Sequence, residues 1–147
     1  MRQIVFRGKS IKVGRWLFGD LLRTPGNTGD GVAIQYYDKT DGWMFEDVRV
    51  DTVGQFTGLY DKKNKPIYEG DIMYSEFSDG SGGYDLIGWN KSQISFGMMD
   101  NYSYQSKQEG YDFPEFKNYV LINYLKKALI CEVVGNIYDN PELMNVK

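Results

Sequence analysis

The stretch PIYEGDIMY, residues 66 to 74, sets a Gly-Asp pair directly before a run of apolar and aromatic residues. If the acid serves chemistry, the chain reads as an enzyme; if it serves the backbone, the chain reads as a binding module. Gly70 permits a sharp, left-handed bend, and Asp71 can accept hydrogen bonds from nearby amides and fix that bend. Beyond them, Ile72 and Tyr74 alternate with Met73 and Ser75 at the period of a strand. Glu69, Gly70 and Asp71 are therefore expected to form the hinge at which a strand begins.

The same period recurs to either side. QIVFR (3–7), RWLFG (15–19), VAIQYY (32–37), DIMYSEF (71–77), YDLIGW (84–89) and QISFGMM (93–99) all read as strands. TPGNTGDG (24–31), DKTDG (38–42), DKKNK (61–65) and SDGSGG (78–83) supply turn residues between them. YDKTDG and YDKKNK begin alike and read as two similar hairpin tips. VGQFTGL (53–59), with Gly54 and Gly58, reads as a link between an N-terminal β layer and the following domain. Residues from Met98 to Phe116 are polar and tyrosine-rich with no clear period, so an irregular loop is expected over about 98–117. NYVLIN and LICEVV favour two strands joined around Lys126 and Lys127, although the first could instead open a helix. In DNPELM, Asn140 suits an N-cap, Pro141 the first helical position and Glu142 the positive helix end.

Composition agrees with a β protein: aromatics make up 16% of the 147 residues, twelve of them tyrosine, alongside 17 glycines. The net charge of -3 is unevenly spread, because residues 1–23 hold six basic groups against one acid. Such a segment can bind anions, or it can pack on acidic surfaces of its own or a neighbouring chain. No apolar segment approaches the ~20 residues that span a bilayer, and no leader pattern opens the chain, so neither a membrane partner nor export is expected. A lone cysteine, Cys131, fits a cytoplasmic protein without disulfides.

Chemistry is narrowed sharply by the absence of histidine. Ser-His-Asp and Cys-His sites are excluded, as are histidine-bearing zinc sites. GKS (8–10) resembles the end of a phosphate-binding loop, but Gln3 stands where that motif demands glycine. DGSGGYD (79–85) lacks the spacing and closing Glu of an EF-hand calcium loop. Glu69 with Asp71, and Glu46 with Asp47 and Asp51, are acid groups that could in principle hydrolyse a glycoside or hold magnesium. Nothing in the local sequence shows which other groups would join them, and strand-end solvation is the preferred reading. No catalytic residue, cofactor or metal is expected.

Two long motifs carry a resemblance. VGQFTGLYDKKNKPIYEGDIM (53–73) and CEVVGNIYDNPEL (131–143), with IVFRGK and RWLFGDL near the start, resemble the YopX-type family of phage and prophage proteins. The likeness implies a mostly β fold with a small SH3-like barrel, to which the reading of the residues adds an N-terminal β layer and a short C-terminal helical turn. It also implies phage or prophage origin, and it supplies no activity. On that reading residues 1–56 form the N-terminal β segment and 57–147 the barrel, or the whole chain is one unit. Gly135, beside Asn136, suits a bulge where a barrel curves.

Function is then expected to be binding rather than catalysis. Tyr102, Tyr104, Tyr111 and Phe113 have the composition of an adaptable surface for a host or phage protein. Alternatively, Arg7, Lys9, Lys12 and Arg15 interleave with Phe6, Trp16 and Phe18, as nucleic-acid binding through stacking and phosphate contacts requires. A third reading is an assembly or virion component whose basic and acidic regions pair across copies of the chain as a homo-oligomer.

Overall fold

The computed structural model describes residues 3–23, 31–92, 94–108 and 130–145. The protein is mostly β and divides into two compact units, Met1–Gly58 and Leu59–Lys147.

In the first unit β1 (Phe6–Lys9), β2 (Trp16–Arg23), β3 (Val32–Asp38), β4 (Gly42–Asp47) and β5 (Gly54–Tyr60) lie in the order β4-β3-β2-β1-β5. β5 runs two residues past the division into the second unit. Strand pairing is antiparallel, with Phe6 opposite Gly19, Leu21 opposite Ile34 and Ile34 opposite Glu46. One face carries the core of Leu17, Ile34 and Val48, with Phe6, Leu21, Val32, Tyr36 and Val53 packed against it. β4 and β5 were not expected as strands. GWMFED has three large apolar residues in succession and hides its alternation, while the glycines of VGQFTGL disguise the buried Phe56 and Thr57.

In the second unit β6 (Pro66–Tyr68) leads into β7 (Asp71–Glu76), followed by β8 (Gly82–Asn90), β9 (Ser95–Asp100), α1 (Asn101–Gln108) and β10 (Glu132–Asn136). A 3-10 turn, Pro141–Asn145, follows β10. The antiparallel sheet runs β10-β7-β8-β9. Period 2 sends Met73, Ile87, Met98 and Val133 to one face, where they pack with Ile67 and Cys131. It sends Ile72 and Leu86 to the other, against Met144, Tyr104 and Leu143.

The sheet thus has a core on each face, which explains why Ile72-Met73 and Leu86-Ile87 are buried in succession. It also explains why the SH3-like barrel expected from sequence does not close among the described residues. β10 and β9 stand at opposite ends of the strand order, and the sheet is filled from both sides rather than curled around one core.

The loop expected over 98–117 is also corrected. Met98 to Asp100 complete β9, and the next eight residues form α1. Asp100 Oδ1 accepts the Ser103 N–H at 2.7 Å and starts the helix. The buried positions of α1 are Ser103 and Ser106, so no apolar period announces it. Tyr111, Phe113, Lys126 and Lys127 lie outside the described residues.

Candidate partner-binding face

The hinge at 68–71 has the geometry of a backbone device. Gly70 takes φ +82°, its N–H donates to the Ile87 carbonyl at 2.8 Å, and its own carbonyl accepts the Ile137 N–H at 2.8 Å. Asp71 is 2% exposed, and its Oδ2 accepts the Tyr68 N–H at 2.8 Å. Glu69 is half-buried in the turn. Glu46 and Asp47 are neighbours on a strand and so point to opposite faces, while Asp51 pairs with Arg49 at 2.7 Å. No three acidic or cysteine side chains converge among the described residues.

The other structural positions serve the backbone too. Gly54 is buried opposite Arg7, and Gly58 takes φ +88°. β10 shifts register between Val133 and Gly135, a bulge around Val134. A Cβ on Gly135 would meet Asn140 Oδ1 at 2.6 Å, so a larger residue must displace the Asn140 side chain. Asn136 Oδ1 accepts the N–H groups of Tyr138 and Asp139, forming the turn before Pro141. The side chain of Asn140 reaches back to the Asn136 N–H, while its backbone carbonyl accepts the Leu143 N–H.

The tyrosines singled out from composition separate. Tyr102 is exposed on α1, whereas Tyr104 packs on the core of Ile72, Leu86 and Met144. Tyr104→Ala is expected to lower stability by about 1–2 kcal/mol and Tyr102→Ala to change it by less than about 0.5 kcal/mol. Urea unfolding of both variants measures this, and equal effects would contradict the packing difference.

The basic segment is largely engaged at home. The Arg7 guanidinium is buried 4.8 Å from the Trp16 ring centroid, with Lys9 Nζ 5.9 Å from the same ring. Arg15 Nη2 donates to the Tyr36 hydroxyl at 2.8 Å and reaches Glu46 at 3.4 Å. Ser10 Oγ also donates to Glu46. Lys12 is exposed in the turn after β1.

The aromatic surface lies elsewhere, on the β3–β4 hairpin. Trp43 and Phe45 are each 67% exposed, Tyr37 is 63% exposed, and Phe18 on β2 is 51% exposed. Register places Tyr37 opposite Trp43 and Gln35 opposite Phe45, on the face away from Leu17, Ile34 and Val48. The Tyr37 and Trp43 rings meet edge-on with centroids 5.5 Å apart, a favourable aromatic geometry. At the hairpin tip Asp38 Oδ1 accepts the N–H groups of Thr40 and Asp41, which hold its carboxyl below the ordinary value. Trp43 and Phe45 were missed because GWMFED shows no alternation and so gives no sign of a strand with an outward face.

The family described as "YopX protein" matches residues 5–145. The crystal structure of protein EF1440 from Enterococcus faecalis is similar, with a TM-score of 0.53 and 18% identity over 98% of this chain and 99% of that one. That likeness concerns the fold alone. No curated protein gives a match.

Proposed function

The chain belongs to the YopX protein family, and from that premise we propose that it is a non-enzymatic binding module of phage or prophage origin. It acts in the host cytoplasm and grips a host or phage protein through Phe18, Tyr37, Trp43 and Phe45. The observation that carries this reading is the pairing of the two sheet faces: one holds a core, and the other presents four large aromatic side chains to solvent. Exposed apolar clusters of this kind commonly mark interaction sites, and aromatic residues dominate interface energetics. The use of Asp71 as a turn fixture and the absence of histidine support a role without catalysis. Asp20 and Asp47 share the aromatic face, and such carboxylates disfavour phosphate, which supports a protein partner over nucleic acid.

The test compares the parent with the Trp43→Ser, Phe45→Ser double variant as bait in lysate of the infected host. Both side chains are exposed, so the variant keeps its fold by circular dichroism and loses the captured protein. An unchanged captured set would sink the reading. Salt-dependent retardation of DNA or RNA, weakened by Lys12→Ala, would favour nucleic acid instead.

A further inference from the structure

We propose that the outer edge of β4 takes an extended, basic segment of a partner protein as an added strand. This deepens the binding-module reading and rests on it. Val48 N–H donates to the Val32 carbonyl at 3.1 Å, so Val32 and Val48 form a hydrogen-bonded pair. In an antiparallel ladder such pairs alternate. The main-chain groups of Glu46 and Met44 therefore face β3, and those of Asp47, Phe45 and Trp43 face away. β4 stands at the end of the strand order, so "away" means the sheet edge.

The Asp47 carbonyl there accepts the Ile11 N–H at 3.1 Å, and the turn after β1 closes that end. The N–H and C=O groups of Trp43 and Phe45 have no partner among the described residues. Natural edge strands usually carry Lys, Pro or a bulge that discourages pairing. GWMFED carries no Lys, Pro or bulge, and its two charges, Glu46 and Asp47, stand at the end that the turn after β1 closes. The stretch from Trp43 to Phe45 is uncharged and holds the most exposed aromatics of the unit. This combination suits strand addition, in which main-chain bonds give affinity and alternate side chains give specificity.

Charge identifies the occupant. Asp41 lies just before β4, Asp47 ends it, and Asp20 lies across Gln35 from Phe45. Glu46 is held by Arg15 and Ser10 on the other face. Lys39 in the hairpin tip and Lys12 in the turn that closes the edge at Asp47 are exposed cations at its two ends. A second copy would bring two acid-flanked edges together, whereas a strand alternating apolar residues with Lys or Arg meets both the rings and the carboxylates.

The probe is a panel of synthetic seven-residue peptides alternating Val or Ile with Lys or Arg. Control peptides replace the basic residues by Glu or carry N-methyl groups on alternate amides. Binding to the full chain is followed by NMR with amide exchange. Basic peptides are expected to slow exchange at the Trp43 and Phe45 amides about tenfold or more. N-methylation of the inward amides, or Trp43→Ala in the protein, is expected to weaken binding about tenfold. Phe45→Pro removes an outward donor without touching a β3–β4 bond, a placement that edge strands tolerate, and should weaken binding similarly.

Peptide binding that leaves both amides exchanging as before would overturn edge pairing while the aromatic face stands. Absence of binding by every basic peptide would do the same, provided the double variant still loses its captured protein; if capture is also unchanged, both readings fall. Concentration-dependent self-association abolished by Phe45→Pro, or displacement of the peptides by a single-stranded oligonucleotide, would replace the occupant and overturn the inference.

Discussion

Asp61→Ala is expected to lower the free energy of unfolding by about 4 kcal/mol, with Asp61→Asn costing about 2–3 kcal/mol. The side chain is 5% exposed. Its Oδ1 accepts the N–H groups of Lys63 and Lys65, each at 2.8 Å, and its Oδ2 accepts the Val133 N–H at 2.9 Å. The first two bonds shape the tip between β5 and β6. The third ties that tip to β10, whose Val133 enters the core with Ile67, Met73 and Ile87. Alanine leaves three donors without their acceptor. Asparagine keeps one carbonyl oxygen but turns an amide donor toward one of them. Urea unfolding with unchanged m-value measures the loss, and a cost under about 1 kcal/mol would show that the carboxylate is dispensable.

The same site makes stability depend on pH in a fixed direction. Burial pushes the Asp61 carboxyl up, but the amides of Val133, Lys65 and Lys63, with the Lys65 charge, outweigh it and hold the group below its ordinary value. A carboxyl with a depressed folded pKa binds protons more readily when unfolded. Its contribution is therefore complete above the unfolded value of about 3.9 and fades as pH falls through the folded one. The gap between parent and Asp61→Asn should be constant near neutrality and narrow below about pH 4. A gap that widened with acid would contradict the assignment. Glu132 at the rim, half-buried and paired with Lys63 and Lys62, is lowered in the same sense.

What the residues disclosed in advance followed from how local each signal is. The alternation of DIMYSEF, YDLIGW and QISFGMM is set by neighbours two apart, and these segments fall on β7, β8 and β9. The turn chemistry of YDKTDG and YDKKNK is equally local: in both tips the aspartate accepts amides two or more residues ahead. The third bond of Asp61 spans 72 residues, and nothing near DKKNK reveals it. α1 escaped because serine fills its buried positions, leaving no hydrophobic stripe. The aromatic face escaped for the opposite reason. Trp43, Met44 and Phe45 are apolar in succession, which hides the period of a strand, and only the strand order shows that they stand at an edge.

Gly70→Ala is expected to cost about 3 kcal/mol, a direct test of the hinge that opens β7. Two causes contribute, and they can be separated. Backbone at φ +82° disfavours an L side chain by roughly 1–2 kcal/mol. A Cβ would also stand 2.8 Å from Tyr138 Cε2 and 3.3 Å from its hydroxyl oxygen. Residue 70 itself cannot drift, because its N–H and C=O are both committed, to Ile87 and Ile137, so the contact is relieved only by displacing the Tyr138 ring. Gly70→Asn tolerates the left-handed region better yet keeps the clash, so it should fall between alanine and the parent. In a Tyr138→Ala background the cost of Gly70→Ala should drop to about 1–2 kcal/mol, the dihedral part alone. An unchanged cost would assign the whole effect to the backbone angle, and no cost in either background would mean that the bend does not need glycine.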